Sequence, residues 1–448
     1  MTKNNKILLS LVIALILGVL TGAIFGSSMH EGLTSHKQFI SGEIKQTTND
    51  TAYFFYRIIK FSGHLFLNML NLMVIPLVVT SLVMGMVTLG DIKHADRTGI
   101  RTFIYYFATT GIAVVIGILM VTIISPGSGI EESHEIASKV AGKEHTGILD
   151  TILSVFVHET NGSKGMFPSN IVGAMASKNV LGVIAFSILF GAAITTMGER
   201  GKLLKEFFTT SNDAILTMVH WVLKLLPLGI FGLVVTRLAE IGGGPALMGE
   251  LEKVAMYFLT VVLSLLLHGV VALPLILWYM TGRNPLQYAK GAAEALLTAF
   301  STASSSATLP VTMECAEKNN NVSKKSASFV LPLGATINMD GTALYEAVAV
   351  IFIAQVYGIE ITGVMLLVVF LTATLAAIGA AGIPEAGLVT MIIVLNATGV
   401  PLEGIGILLS IDWLLDRCRT TVNVWGDSIG SAVIDKLEEA EQGKTAKA

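Results

Sequence analysis

The last apolar stretch of the chain carries charged and polar side chains at intervals that place them on one face of a helix. At 100° per residue, the shared stripe is about 100° wide. It holds Asp412, Asp416, Arg419, Thr420, Asn423 and Asp427, with Arg417 on its flank. A charge within a membrane span costs about 2.5–3.5 kcal/mol on insertion scales. Such charges therefore face a cavity, pair with one another or bind a ligand.

The residue types on this stripe are complementary to an amino acid. An arginine binds a carboxylate through two parallel hydrogen bonds, and an aspartate accepts hydrogen bonds from an ammonium group. One carboxylate would then remain for a cation. Two structural alternatives stay open: an amphipathic cytoplasmic tail, and a fixed Asp416–Arg419 ion pair without a ligand. The apolar segments on both sides, Gly404–Ile411 and Ile429–Ile434, argue against the tail.

A second polar cluster, Asn338–Thr342, interrupts the apolar run Phe329–Val356, in which Asp340 and Glu346 are the only charged residues. Glycines in and before the cluster can free backbone carbonyls from helical hydrogen bonds. Carbonyl, carboxylate and amide oxygens are the ligands of hard cations, and we extend this preference from divalent ions to sodium. The alternative is a glycine kink with a salt-bridged Asp340.

A third motif, Ser301–Pro310, is rich in serine and threonine. Serines before a turn supply hydroxyl and N–H donors for a carboxylate. A serine nucleophile would need a base within reach. His220 and His268 are isolated in apolar spans, so a membrane hydrolase is disfavoured. A helix-packing serine patch is the structural alternative.

A fourth motif, Gly379–Gly387, combines glycines with Pro384. Small residues permit a tight, mobile loop, as a gate requires. Glycine-rich breaks are also common in membrane helices, so this signal is weak by itself.

The composition places these motifs in a membrane. Hydrophobic residues make up 53% of the 448 residues and charged residues only 14%, against roughly 25% charge in soluble domains. The mean hydropathy is +0.71. A soluble enzyme, a disordered protein and a nucleic-acid binder are all disfavoured, and the net charge of −3 implies no polyanion partner. The two cysteines cannot form a disulfide framework.

Apolar segments long enough to span a bilayer precede the polar third of the chain. They are Leu8–Phe25, Leu65–Leu89, Ile104–Ile124, Val180–Met197, Ala214–Val235 and Val254–Met280. Basic residues in alternate loops predict a cytoplasmic N-terminus. They also predict a re-entrant hairpin at Gly291–Cys315, with its tip near Ser304–Pro310. A second broken segment, Ile361–Leu395, completes a pair of interrupted segments, which is typical of a transporter site at the membrane midplane.

At these motifs the sequence resembles the glutamate transporter family, the dicarboxylate/amino acid:cation symporters. The matching strings are SSSATLP, NMDGTALYEA, GAAGIPEAG and DWLLDRCRTTVNVWGD, nearest in wording to the excitatory amino acid transporters. The resemblance implies an all-α polytopic membrane protein with eight transmembrane helices and two re-entrant helical hairpins. It also implies an elevator mechanism and a homotrimer.

The resemblance further implies a division of the chain into scaffold and transport regions. Residues 1–99 would form scaffold helices, and residues 100–126 the third helix, which moves with the transport domain. Residues 127–251 would form an extracellular loop and scaffold helices. Residues 252–436 would form the transport core, followed by a cytoplasmic tail at 437–448.

The same resemblance assigns roles to individual residues. Arg419 would bind the side-chain carboxylate of the substrate, and Asp416 its ammonium group. The remaining substrate contacts would come from Ser304, Ser305, Ser306, Thr342, Thr420, Asn423 and backbone at Ala381, Gly382 and Ile383. One sodium ion would use Asp427, Asn338, Asn423 and the Gly334 carbonyl. A second would use Asp340, Asn338, Tyr106, Thr109 and Thr110. A third would lie between backbone at Thr336 and Met339 and the second hairpin at Ala377, Ile378 and Ala380.

The sequence departs from the family pattern in three respects. Some prokaryotic members have an arginine where this chain has Ala303, and Arg417 would supply that charge from the last helix. Ala377 and Ala380 replace serine or threonine, so the third sodium site would rely on carbonyls. Glu385 replaces a neutral residue near the gate, without an explanation from the sequence.

Glu346 is a candidate proton carrier. It lies four residues beyond Thr342 and so shares its helix face. Burial favours the protonated form of a carboxyl group, and family members with glutamate here are proton-coupled. The alternative is a static salt bridge to Arg417 or Arg419.

The predicted function is sodium-coupled uptake of acidic amino acids across the plasma (inner) membrane, with both termini cytoplasmic and no enzymatic activity. Alternatives are a neutral amino acid exchanger, a C4-dicarboxylate symporter and, from another class, an anion channel. The sequence does not rank glutamate over aspartate, because one methylene is worth only about 1–3 kcal/mol. It also leaves potassium counter-transport open.

Overall fold

The computed structural model describes residues 3–41, 50–90, 96–127, 165–244, 247–378, 380, 382 and 384–445. The predicted substrate contacts at Ala381 and Ile383 lie outside the described residues, as do residues 128–164 of the predicted extracellular loop.

The regular structure of the described residues is helical. The first half of the chain forms α1 (Lys3–Ser41), α2 (Asp50–Gly90), α3 (Asp96–Ile124), α4 (Ile171–Ala176), α5 (Val180–Thr196), α6 (Lys202–Leu223), α7 (Leu226–Glu240) and α8 (Leu247–Leu266). The second half forms α9 (Leu273–Thr281), α10 (Pro285–Thr302), α11 (Ser305–Glu314), α12 (Lys324–Ile337), α13 (Asp340–Val356), α14 (Gly363–Ile378), α15 (Ala386–Thr398) and α16 (Ile405–Thr445). A π-helical turn, Leu267–Ala272, joins α8 to α9.

Several of these helices are long and apolar enough to cross a membrane. Within the described ranges there are five such stretches: Leu9–Gln38, Asp50–Val87, Thr98–Ile124, Leu247–Thr281 and Lys324–Val356. A bent pair, Gly198–Leu223 and Leu226–Glu240, adds a sixth, with an angle of 53° between its two parts. A helix lies at every predicted span. The chain is therefore an all-α polytopic membrane protein, as its composition predicts.

The first predicted hairpin consists of α10 and α11, which pack against each other. Asn284 caps α10 by accepting hydrogen bonds from the N–H groups of Leu286 and Gln287 at 2.9 and 3.2 Å. Ala303 then adopts a left-handed φ of 50°, which ends the helix. The Ser304 Oγ starts α11 by accepting from the Ala307 N–H at 3.2 Å. The turn therefore lies at residues 303–304, and Pro310 lies inside α11 rather than in the tip.

The second predicted hairpin consists of α14 and α15, which also pack together. Its helices end at Ile378 and restart at Ala386, so the break falls in the predicted Gly379–Gly387 segment. Glu385, directly before α15, has a left-handed φ of 64°.

The predicted break at Asn338–Thr342 separates α12 from α13. Asn338 and Met339 have non-helical dihedrals, with ψ angles of 79° and 57°. This interruption releases backbone groups in the middle of an apolar segment. Helix α13 packs against α3, α14 and α15, and nearly all of its residues are buried. Such burial suits a helix that is apolar on all faces.

The chain divides into two compact units. The first comprises Met1–Met73, Leu216–Phe258 and Pro401–Trp413, and the second comprises Val74–Ile215, Leu259–Val400 and Leu414–Ala448. Within the first unit, α1 packs along α7, and Lys60 pairs with Glu240 at 2.8 Å. Asp412 belongs to the first unit, whereas the rest of the polar stripe belongs to the second. The division into scaffold and transport regions stays a prediction.

Candidate functional site

Helix α16 carries the polar stripe in one continuous α-helix. Asp416, Arg419, Thr420, Asn423 and Asp427 are all buried, and Arg419 is only 1% exposed. The helical spacing thus places these side chains in the interior of the second unit. Buried charges require partners, and the partners identify what surrounds the stripe.

The Arg419 guanidinium is held from two sides. Its Nη2 donates to Asp416 Oδ1 at 2.8 Å, and its Cζ lies 3.9 Å from the ring centroid of Tyr345. An aromatic face at this distance attracts the cation. Gly387 of the second hairpin approaches so closely that a Cβ there would lie 2.9 Å from Arg419 Nη1. The absence of a side chain at Gly387 therefore gives the guanidinium its space.

Asp416 joins α16 to the second hairpin. Its Oδ1 binds Arg419, while its Oδ2 accepts the backbone N–H of Glu385 at 2.9 Å. The Glu385 side chain departs from the family pattern, and the backbone N–H of the same residue makes this contact with Asp416. The carboxylate predicted to bind an ammonium group is thus in direct contact with the second hairpin.

The two hairpin tips meet at Gly382. The Ser304 Oγ donates to the Gly382 carbonyl at 2.6 Å, and the Ser306 N–H donates to the same oxygen at 3.1 Å. Ser304 and Ser305 are buried. Ser304 and Gly382 are 78 residues apart in the sequence, and their hydrogen bond joins the serine motif to the glycine motif beside the site.

Arg417 lies on the flank of the stripe, as predicted from its position, and contacts the first hairpin. Its Nη1 donates to the carbonyls of Phe300 and Ser301 at 3.0 and 2.8 Å. These carbonyls belong to the last turn of α10, where a cation is favoured by the helix dipole. Arg417 therefore ties α16 to the first hairpin.

Asn423 connects the stripe to the break before α13. Its Oδ1 accepts the Gly341 N–H at 2.7 Å, and its Nδ2 donates to Thr342 Oγ1 at 3.2 Å and to Met339 Sδ at 3.3 Å. Thr420, one turn earlier, is buried. The structure thus brings together the Asn338–Thr342 cluster and helix α16.

Asp427 forms the centre of the first group of predicted sodium ligands. Its Oδ1 accepts from Asn338 Nδ2 at 2.9 Å. A Cβ at Gly334 would overlap both this carboxylate and the hydroxyl of Tyr106. The backbone of α12 at Gly334 therefore passes directly beside the Asp427 carboxylate. This proximity is needed if the Gly334 carbonyl and Asp427 are to bind the same sodium ion.

Asp340 forms the centre of the second group. It is fully buried, and its Oδ1 accepts from Thr110 Oγ1 at 2.7 Å and from Thr109 Oγ1 at 3.4 Å. Thr109 Oγ1 also lies 3.4 Å from Asn338 Oδ1. The Tyr106 hydroxyl donates to the Val330 carbonyl at 2.8 Å rather than to Asp340.

The third predicted sodium group is less closely connected by side chains. Thr336 Oγ1 donates to the Leu333 carbonyl at 2.9 Å. Ala377, Ile378 and Ala380 are buried, and the Ala380 N–H donates to the Ala377 carbonyl at 3.2 Å. In the described part of the chain, no three His, Cys, Asp or Glu side chains cluster as a transition-metal site. Oxygen donors dominate, as a hard cation requires.

Glu346 is fully buried on α13. The Thr390 hydroxyl and the Arg419 guanidinium lie near its carboxyl group, but neither carboxyl oxygen has a hydrogen-bond partner of ordinary geometry among the described residues. The structure also shows no ion pair from Glu346 to Arg417 or Arg419, both of which bind other groups. An ionised carboxylate in such surroundings would be costly, so this arrangement suits the neutral acid.

The sequence interpretation missed Tyr345, which contacts Arg419, and it also missed His268. Its Nε2 lies 3.1 Å from Asp340 Oδ2, and both side chains are fully buried. The sequence shows only an isolated histidine in an apolar span. The π-helical turn that contains it has no clear sequence signal either.

The fold and the site define a class: an α-helical membrane transporter with two helical hairpins that meet beside a buried arginine–aspartate pair. Residues 7–437 match the model of the sodium:dicarboxylate symporter family. The chain belongs to that family, which confirms the resemblance seen in the motifs, and it is a transporter rather than an enzyme.

Similar proteins include vertebrate excitatory amino acid transporters. Excitatory amino acid transporter 3 of Homo sapiens is 38% identical over 488 residues, covering 98% of this chain and 87% of the relative. Excitatory amino acid transporter 1 of Ambystoma tigrinum is 39% identical over 482 residues, covering 98% and 84%. Excitatory amino acid transporter 4 of Mus musculus is 40% identical over 448 residues, covering 86% and 79%.

Proposed function

We propose that this protein is a secondary active symporter that takes up glutamate or aspartate together with sodium ions. The observation that carries the proposal is the buried pair of Arg419 and Asp416, 2.8 Å apart, beside the second hairpin. A guanidinium and a carboxylate so placed are complementary to the side-chain carboxylate and the ammonium group of an acidic amino acid. The names of the similar excitatory amino acid transporters agree with this substrate class.

Substrate binding would replace contacts that the site now makes internally. The ammonium group takes the place of the Glu385 N–H and the guanidinium at Asp416. The side-chain carboxylate takes the place of Asp416 at Arg419. Hydroxyl and amide groups of Thr342, Thr420 and Asn423 hold the rest, together with the Ser304–Ser306 turn and backbone at 381–383.

Sodium coupling follows from the oxygen groups around Asp340 and Asp427. Asn423 belongs both to the substrate group and to the first sodium group, so occupation of one site changes the other. The backbone at 377–380 in the second hairpin would supply ligands for the third sodium ion. Closure of the second hairpin would then depend on sodium. Such shared residues give a reciprocal coupling free energy between ion and substrate.

Glu346 is proposed as the proton carrier. It shares the α13 helix with Thr342 and is fully buried, near the Thr390 hydroxyl but without a hydrogen-bond partner of ordinary geometry in the described residues. A carboxyl group that is neutral in the loaded carrier and ionised in the empty one moves a proton with each substrate. Potassium counter-transport is the corresponding proposal for the empty carrier, and uptake measured at several internal potassium concentrations tests it.

The larger arrangement is also part of the proposal. The second hairpin acts as the gate, and the region from 252 to 436 with residues 100–126 moves as an elevator against scaffold helices. Three copies form the working unit in the plasma (inner) membrane, with both termini cytoplasmic. The break between α14 and α15 and its contact with Asp416 support the gate.

Two other substrates remain as alternatives within the family. A neutral amino acid exchanger would leave Arg419 without an acidic partner from the substrate. A C4-dicarboxylate symporter would leave Asp416 without an ammonium group. In each alternative, one member of the Arg419–Asp416 pair would therefore have no substrate group to bind.

Ligand binding to the purified protein separates these substrates. The thermal unfolding midpoint is measured with aspartate, glutamate, serine or succinate, each in sodium chloride and in choline chloride. The proposal predicts stabilisation by aspartate or glutamate that needs sodium, because a ligand stabilises the state to which it binds. Stabilisation by serine or succinate alone would contradict it.

A further inference from the structure

An apolar groove lies in the second unit, away from the proposed substrate site. Helices α3, α9 and α16 form its walls, and its volume is about 640 Å³. Ile104, Ile112, Leu275, Trp278 and Val433 line it. We call it the lateral groove. Ile104, Leu275 and Trp278 are all more than half exposed, so the groove is open at the surface that a bilayer covers.

The length of the lateral groove matches half of a bilayer. On α3 its lining extends from Arg101 to Ile112, which is about 16 Å at a rise of 1.5 Å per residue. The hydrocarbon core of one leaflet is about 15 Å thick, half of a core of about 30 Å. A single acyl chain that enters at the membrane interface would therefore reach the end of the groove near the midplane.

One end of the lateral groove has the character of a membrane interface. Trp278 and Tyr279 lie there, 59% and 84% exposed, and these residue types concentrate at the headgroup level. Arg101 lies at the same end, because it contacts Leu437 of α16 and Arg283, just after α9, pairs with Asp435 one half-turn away. The Nη1 of Arg101 pairs with Glu441 at 2.8 Å and faces the Leu437 carbonyl at 3.5 Å. In the part of the chain that the structure describes, its Nε and Nη2 have no partner.

We propose that the lateral groove binds an anionic phospholipid, with one acyl chain along α3 and the phosphate on Arg101. The apolar walls take the chain, and the remaining guanidinium donors take the phosphate. Basic pockets between membrane helices are suited to such headgroups. A protein partner is a poorer match, because the groove has the length of an acyl chain and a single cation at one end.

The bound lipid would lie close to the cation site. Tyr105 and Thr109 also line the lateral groove, and Thr109 Oγ1 is 3.4 Å from Asp340 Oδ1. The acyl chain therefore packs against the same helix that presents hydroxyl groups to Asp340. Binding itself can be measured without transport, so the inference does not depend on the proposed substrate.

Tryptophan quenching tests this inference with the full-length protein. The protein is reconstituted in neutral phosphatidylcholine, and dibromo-phosphatidylglycerol or dibromo-phosphatidylcholine is added in steps. The signal of Trp278 is the difference between wild type and Trp278→Phe. Trp221→Phe gives the matched control, because Trp221 is similarly exposed, at 62%, on a different helix.

The expected result is a saturable quenching of Trp278 by the anionic lipid. Half-saturation should occur at an about five-fold lower mole fraction than with the neutral lipid, the factor expected from one basic residue at the membrane surface. Trp221 should respond equally to both lipids. Arg101→Gln should remove the preference, and Ala108→Phe, which fills the groove from α3, should weaken quenching by both lipids.

Three results would overturn the inference. Equal, non-saturating quenching of Trp278 and Trp221 would mean that Trp278 reports only bulk lipid. Quenching of Trp278 by both lipids that is unchanged in a folded Ala108→Phe protein would place the lipid elsewhere. Relief of this quenching by an unbrominated fatty acid as effectively as by unbrominated phosphatidylglycerol would identify a free fatty acid, and not a phospholipid, as the occupant.

Discussion

Replacing Arg419 by cysteine should remove the selectivity for an acidic side chain. Arg419 is 1% exposed, so a substrate carboxylate that enters its pocket loses water and depends on the guanidinium. Loss of one member of a buried, hydrogen-bonded charge pair costs about 2–5 kcal/mol. The dissociation constant for aspartate should therefore rise by roughly 30- to 5,000-fold.

The same substitution should favour a smaller, neutral substrate. Asp416 keeps its bond to the Glu385 N–H and can still accept an ammonium group. Serine would then fit without an unpaired buried carboxylate, so serine should gain sodium-dependent binding while aspartate loses it. Isothermal titration calorimetry with both amino acids, in sodium, measures the exchange of preference.

Arg417→Cys provides the matched control. It removes an arginine two residues away whose described bonds reach only the carbonyls of the first hairpin. It should weaken aspartate and serine binding alike, without a change of preference. An Arg419→Cys protein that unfolds like wild type and binds aspartate with unchanged affinity would refute the assignment.

Four further substitutions test the sodium and proton sites. Asp427→Asn and Asp340→Asn should each raise the sodium concentration for half-maximal aspartate binding by about ten-fold or more, because charge-assisted bonds are worth about 1.5–3 kcal/mol. Unchanged sodium dependence in both variants would show that the two carboxylates are structural charges. Glu346→Gln should abolish the internal acidification that accompanies uptake, which a pH-sensitive dye inside the vesicles reports. Substrate binding and exchange should be kept. Proton flux that persists in this transporting variant would exclude Glu346 as the proton carrier. His268→Ala should lower the thermal unfolding midpoint and weaken sodium binding, because it removes the side chain that lies 3.1 Å from Asp340 Oδ2. A variant with the unfolding midpoint and the sodium affinity of wild type would show that the contact has no role.

Local sequence patterns predicted the parts of the site that depend on one helix or one break. The stripe on α16 follows from helical spacing, and burial follows from the apolar residues around it. The breaks at 338–339 and 379–385 follow from glycine, proline and polar residues in apolar segments. The turn of the first hairpin was placed too broadly, since Pro310 is accommodated inside a helix.

Residue type and periodicity do not predict contacts between distant segments, and the groupings around Asp340 and Asp427 were expected only through the family resemblance. His268 and Asp340 are 72 residues apart, and neither has a local signal for the other. The bond of Arg417 to the first hairpin spans 117 residues. The Glu385 N–H reaches Asp416 because of a left-handed backbone turn. Such pairings depend on how helices pack, which residue type and periodicity do not determine.

The most direct test of the central claim is uptake of radiolabelled aspartate into proteoliposomes that contain the purified protein. The account predicts accumulation above the external concentration when sodium is higher outside. It also predicts no accumulation when sodium is equal on both sides or is replaced by choline. Accumulation that is independent of the sodium gradient, or uptake that never exceeds equilibration, would contradict sodium-coupled symport.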